Sequence, residues 1–249
     1  MKTKISFLAS AFLVMSFSIT SASAWAAVWY VDKDNSGAED GTSWATAFNT
    51  IQEGVDAGFN ASGGEVWVAG GTYTGVGGNA GGTDNVVVMK ENVHLYGGFI
   101  GIGVGGNETS RDQRDWGAHV TTIDGEDARR GVYGANNATL DGFTVTRGKA
   151  SGYTGGGGMC NDASSPTVTN CTFTSNLSED NGGGMDNNGS SSPTVTNCTF
   201  TGNAAANGGG GGGMCNDGSS PTVTNCTFTG NSAQFAGGGC TMAALRLLR

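Results

Sequence analysis

Proline is scarce in this 249-residue chain: Pro166, Pro193 and Pro221 are all there is. With no Gly-X-Y period either, collagen and proline-rich linkers are excluded, although 46 residues are glycine. Charge is scarce as well. Only 13 % of residues are charged, against a usual share of about a quarter, so the chain lacks the composition of a charge-expanded disordered segment. Basic residues number 12 against 21 acidic ones, a balance that suits neither nucleic acid nor an anionic membrane surface. From Ala150 to Leu245 there is no Lys or Arg at all. Histidine is limited to His94 and His119, far in sequence from the cysteines, so a Cys/His metal centre is not expected. No apolar run reaches the about 20 residues of a membrane span. The glycine runs lack the Gly-Lys-Ser/Thr of a phosphate loop and no helix follows them, so they read as corners.

What is present begins with Lys2 and Lys4, an apolar run from Ile5 to Ile19, and the small residues Ser21-Ala-Ser-Ala24. That order predicts a secretory signal peptide over residues 1–26 and an exported product. The remainder, 27–239, then reads as one domain dominated by a repeat. Pro166-Thr-Val168-Thr-Asn-Cys171-Thr-Phe173-Thr-Ser-Asn176 recurs from Pro193 and from Pro221, 27 and 28 residues on (193 − 166; 221 − 193). A fainter copy, Thr139-Leu-Asp-Gly-Phe143-Thr-Val145, lies in phase, so the regular repeats run over about 139–239. Inside each copy the apolar period is two: Val168, Cys171 and Phe173 face one way and the threonines the other. Such short stripes cannot be buried alone. Stacking copies sets Val168, Val195 and Val223 in one file, Cys171, Cys198 and Cys226 in a second, Phe173, Phe200 and Phe228 in a third, about 4.8 Å apart. Asn176, Asn203 and Asn231 then form a ladder of amides bonding from coil to coil. The predicted fold is all-β, a right-handed parallel β-helix with three short strands per coil. Trp44, Phe48, Ile51 and Val55 at helical spacing after Thr42-Ser43 predict a short helix capping its first coil.

Trp29-Tyr-Val-Asp32, Asp40-Gly-Thr-Ser-Trp44, Val66-Trp-Val-Ala-Gly-Gly-Thr-Tyr73, Leu95-Tyr-Gly-Gly-Phe99 and Glu108-Thr-Ser-Arg-Asp-Gln-Arg-Asp-Trp116 resemble the opening of secreted bacterial β-helix proteins of the pectin-lyase-like superfamily. The C-terminal copies are similar to the polymorphic outer membrane protein repeat, whose Phe-x-x-Asn is matched at Phe173/Asn176, Phe200/Asn203 and Phe228/Asn231; its Gly-Gly-Ala-Ile appears as Gly-Gly-Gly-Met. The resemblance implies a bacterial outer-membrane, cell-surface or extracellular location. It spans lyases, hydrolases, adhesins and pure scaffolds, so it speaks to fold more than to activity.

Chemistry is thinly supplied. A lyase needs an Arg or Lys base near carboxylates that hold Ca²⁺, and a hydrolase needs convergent carboxylates. The candidates reduce to Asp124, Glu126, Asp127, Arg129, Arg130, Asp141, Arg147 and Lys149, with Asp124 and Asp141 placed to share a face and Arg129-Arg130 read as solvated surface. No cofactor is expected. Ca²⁺ at the corner aspartates Asp162, Asp186 and Asp217 is the one ion the pattern admits. The cysteine files predict buried free thiols, and Cys160 and Cys215, two coils apart, are too distant to bridge. The expected function is therefore a non-enzymatic surface scaffold or adhesin-like passenger, touching polysaccharide or host and cell-surface protein through its side faces. A pectate-type lyase or glycoside hydrolase is the alternative, and ice or crystalline-surface binding by the threonine files is a third reading. After Gly239 the repeat is replaced by Cys240-Thr-Met-Ala-Ala-Leu-Arg-Leu-Leu-Arg249. Codons for a continued repeat, Met-Tyr-Asn-Gly-Ser-Ser-Pro-Thr-Val-Thr, chosen freely and read one base late, yield that string, which points to a frameshift in the gene or its assembly.

Overall fold

The computed structural model describes residues 27–103, 105–152, 155–207 and 209–234. The signal segment expected at 1–26 and the departing tail 240–249 lie outside them. The chain winds into stacked coils, and its short strands line up in parallel ladders. Sheet A joins Val28–Val31, Gly64–Ala69, Val93–Phe99, Thr139–Asp141, Thr167–Thr169, Thr194–Thr196 and Thr222–Thr224. Sheet B runs from Gly71–Tyr73 through Thr121–Asp124, Phe143–Thr146, Thr172–Thr174 and Thr199–Thr201 to Thr227–Thr229. Sheet C carries Gly78–Ala80, Thr83–Val88, Arg130–Tyr133, Met159–Asp162, Met185–Asn188 and Met214–Asn216; its one antiparallel pair is the hairpin over Gly81-Gly82. Three ladders were expected, and a fourth is present. Sheet D, of two-residue strands, joins Lys149–Ala150, Leu177–Ser178, Ala204–Ala205 and Ser232–Ala233. Its strands carry only one inward side chain each, too little to register as a period.

The stacking is like on like. Val168 pairs with Val195 and Val195 with Val223, while Phe173, Phe200 and Phe228 stack at 4.8 and 4.7 Å with ring planes 4° apart. The phenylalanine file continues toward the N-terminus as Val145, Ile123 and Tyr73. Cys171 and Cys198 are buried thiols that donate weakly to the carbonyls of Thr169 and Thr196. Burial pushes the Cys160 thiol up to about 12. Cys160 is free, facing Asp186, and Asp186 faces Cys215. Cys215 itself is disulfide-bonded.

The inner asparagines bond as a chain. Asn176 Nδ2 donates to Asn203 Oδ1 and Asn203 Nδ2 to Asn231 Oδ1, each at 2.9 Å; each Nδ2 also reaches a carbonyl of the preceding coil. Asn161, Asn187 and Asn216 build a second buried ladder, which ends where Gly134 stands in place of a further amide. The glycine runs do more than turn. Each has one residue in the left-handed region, Gly156, Gly182 and Gly211. The rest lie so close to the next coil that a Cβ on Gly157, Gly183 or Gly212 would sit 2.2, 2.3 or 2.0 Å from a backbone oxygen.

The capping helix starts later than expected. Trp44–Thr46 is a single 3₁₀ turn, Phe48 bridges to Val31, and helix α1 spans Ile51–Asn60. The true N-cap is Thr50, in a reciprocal pair with Glu53. Phe48 is held extended because its N–H and C=O serve Tyr30 and Asp32. Ile51 and Val55 then close the first coil as foreseen, with Gly54 letting the helix settle on Val31 and Val66.

Candidate functional site

The acid and base candidates are dispersed rather than gathered. Asp124 ends a strand of sheet B, where Arg147 Nη2 donates to its Oδ2 at 2.5 Å and Glu126 N to its Oδ1. Asp141 ends a strand of sheet A and is paired with Arg114, also at 2.5 Å. The two carboxylates thus belong to different sheets and different arginines, and the shared face expected of them does not form. Asp127 makes a left-handed corner, its N–H bonded to Arg147 O; Arg129 pairs with Glu126; Lys149 lies 3.8 Å from Glu179.

Arg130 overturns its expected place. It is 0 % exposed, the largest fully buried side chain of the described residues. The alternation Arg130-Gly-Val132 turns it to the same side as the core residue Val132. Its Nε donates to Gly156 O, Nη2 to Gly155 O, and Nη1 to Ala80 O and Asn85 Oδ1, at 3.0–3.1 Å. Burial lowers its pKa by taking the guanidinium out of water, and Cys160, Tyr133 and Asp186 oppose the drop. It staples the sheet C hairpin to the first glycine run. Period-two alternation was the signal that could have revealed it.

Asp186, expected as a corner aspartate open to Ca²⁺, is instead enclosed within the strand Met185–Asn188. It points away from the core residue Met185, lies against Gly155 and is 3 % exposed. Asn188 donates to its Oδ2 at 3.0 Å, while Oδ1 has no partner. Burial pushes its pKa up to about 6, the Asn188 hydrogen bond opposes the rise, and Asp180 and Asp217 add to it. Among the described residues, no group of three or more His, Cys, Asp or Glu side chains is placed to hold a metal ion.

What the fold does assemble is the outward face of sheet A. Two files of side chains cross all seven strands. One is Val28, Glu65, His94, Thr139, Thr167, Thr194 and Thr222; the other is Tyr30, Trp67, Tyr96, Asp141, Thr169, Thr196 and Thr224. The connection after Phe99 returns over the N-terminal half of this face. Trp44, Trp67 and Phe99 form an aromatic cluster there, with Trp67 and Phe99 stacked at 4.9 Å. The Arg111 guanidinium lies 4.5 Å from the Tyr96 ring centre, and that of Arg114 lies 5.2 Å from Tyr96 and 4.8 Å from Trp116. Arg111 also pairs with Glu65, whose other oxygen accepts from Trp67 Nε1. His94 sits at 3.0 Å from the Thr139 hydroxyl, its pKa lowered by burial. Trp116 is 43 % exposed.

Beside this face runs an outer asparagine ladder. Asn225 Nδ2 donates to Asn197 Oδ1 (2.7 Å), Asn197 to Asn170 (3.3 Å), and Asn170 to Asp141 Oδ1 (2.8 Å). Past the ladder, sheet B presents Thr122, Thr144, Thr172, Thr199 and Thr227 in register, on the outward side expected of the threonines.

With the geometry in hand, the family is plain. Residues 84–244, about two thirds of the chain, match the family model of the right handed beta helix region, and the chain belongs to that family. No curated protein and no solved structure matches it. Among the described residues no helix is long and apolar enough to cross a membrane.

Proposed function

We propose that the protein is an exported scaffold of the bacterial cell surface or outer membrane, non-enzymatic, that engages glycan or protein through its side faces. The observation that supports this is the sheet A face, unbroken over seven strands, which changes from aromatic and charged to threonine at Asp141. The resemblance of its Phe-x-x-Asn coils to polymorphic outer membrane protein repeats supports surface display. Of the groups that would be needed for cleavage, Asp124, Asp141, Arg129 and Arg147 sit in structural ion pairs and Arg130 is enclosed among neutral acceptors.

One observation favours the second reading, a polysaccharide lyase or glycoside hydrolase: Arg147, beside Asp124, is 49 % exposed and lies within reach of a polymer. Release of unsaturated uronate from polygalacturonate, with and without Ca²⁺, separates the two. The scaffold reading expects none. Ca²⁺-stimulated release that Arg147→Ala abolishes would establish the lyase. For the scaffold, Thr196→Arg is expected to block retention on glycan and protein panels. Thermal hysteresis measures the third use of the threonine files, on ice.

A further inference from the structure

We propose that Trp116 heads a binding track for a neutral, linear polysaccharide, running along the solenoid over Asp141, Asn170, Asn197 and Asn225. This rests on the side-face reading above and names its ligand class. Trp116 is held in place by built features rather than left loose. A Cβ on Gly98, which has φ +97°, would lie 2.6 Å from the Trp116 nitrogen, and one on Gly142, φ +81°, would lie 3.2 Å from the Trp116 Cβ. Both positions must stay glycine for the segment to seat. Arg114 pins the same segment by donating to Gly97 O, Asp141 O and the Asp141 carboxylate, and stacks on the indole. A fixed, half-exposed indole offers an electron-rich face to the C–H edge of a sugar ring.

The ladder that follows supplies what a chain of hydroxyls needs. Each amide in it uses one N–H along the ladder and keeps the other, together with oxygen lone pairs, for a ligand. Threonines flank it on both sides, Thr169, Thr196 and Thr224 on sheet A and Thr172, Thr199 and Thr227 on sheet B. From Asp141 to Asn225 is three coil steps, about 14 Å at about 4.8 Å per step.

Charge decides the class of polymer. Arg111 and Arg114 are each neutralised by a carboxylate, Asp112 and Asp115 stand close by in the chain, and no Lys or Arg occurs from Ala150 to Leu245. A polyanion would meet no free cation along the track, so the match is to uncharged sugars.

The test is retention on cellulose, mannan and (1→3)-β-glucan, with polygalacturonate and alginate as anionic probes, at about 0.15 M and about 1 M salt. Retention on at least one neutral polymer at both salts is expected. Trp116→Ala should weaken it about tenfold or more, as loss of an aromatic anchor does, and Trp116→Tyr should restore most of it. A melting temperature equal to that of the parent checks that Trp116→Ala is folded. Preference for the anionic polymers, lost at high salt, overturns the neutral class and leaves the side-face reading standing. Neutral retention unchanged in Trp116→Ala overturns the track. Retention on protein but on no glycan, blocked by Thr196→Arg, overturns the inference alone; no retention on either overturns both.

Discussion

Replacing Asp186 by Asn should make the protein more stable at neutral pH and leave it unchanged in acid. The carboxylate is 3 % exposed, one oxygen has no partner, and Asp180 and Asp217 add repulsion. Its folded pKa, about 6, stands above the ordinary 3.8 because burial penalises the charge. The folded state therefore holds the proton more tightly than the unfolded chain does. Asp186 costs nothing below about pH 4, and its penalty grows as pH rises through 6. At 1.36 kcal/mol per unit, the rise corresponds to about 3 kcal/mol at pH 8. For a domain of this size that is roughly 6–12 °C in melting temperature. Thermal or urea unfolding of both proteins at pH 4, 6 and 8 reads it directly. Groups that do not interact with Asp186 are common to both proteins and cancel in the difference. A variant that is less stable than the parent at pH 8, or a gain that is the same at pH 4, refutes the reasoning.

Other substitutions probe the stacking. Gly183→Ala should cost about 1–3 kcal/mol in urea unfolding, because its Cβ would meet Ala204 backbone at 2.3–2.6 Å; Gly218→Asn, at φ +59° with nothing within 4 Å, should cost under about 1 kcal/mol. Asn203→Ala strands the Asn176 amide and the Phe173 carbonyl and should cost about 2–4 kcal/mol by the same measurement, whereas Asn197→Ala, in the exposed ladder, should stay within about 0.5 kcal/mol. Arg130→Leu leaves three buried acceptors, Gly155 O, Gly156 O and Asn85 Oδ1, without their donor while Ala80 O keeps Asn85 Nδ2, for a loss of about 3 kcal/mol or more in thermal unfolding, and Arg130→Lys should not recover it because an ammonium lacks the planar fork.

The interior was legible because stacking makes neighbours of residues one repeat apart. Once Val168, Cys171, Phe173 and Asn176 recur at 27 and 28 residues, their contacts follow from the period alone, and the coordinates place each beside its copy. The N-terminal coils hide the same relation. Leu95 stacks on Leu140 across 45 residues (140 − 95), since the connection carrying Arg111, Arg114 and Trp116 is inserted between them. No fixed period finds that pair, so the outward files of sheet A could not be followed past Thr139 by eye. Arg130 and Asp186, both named from the sequence, were placed at the surface for a different reason. Both occupy positions where charge is expensive, and composition rules place charge outside. Only alternation with Val132, and the column shared with Cys160 and Cys215, marked them as enclosed.

Identity on the inside and change on the outside have separate physical causes. An inward substitution is felt by the coils above and below, so a valine or phenylalanine file tolerates only its own kind or close substitutes such as Ile123 and Val145. An outward side chain has solvent on one side and is free to vary coil by coil without loss of stacking. Where the outward files are uniform, as in the threonine coils, uniformity is therefore not demanded by the core. Where they change, at His94 to Thr139 and Tyr96 to Asp141, the change coincides with the long connection after Phe99 that folds over the face. A ligand that recognised only the threonines would bind equally at every coil and slide. One anchored at Trp116 has a defined origin, and Asp141, which ties Arg114 to the first amide of the ladder, fixes the register between anchor and track.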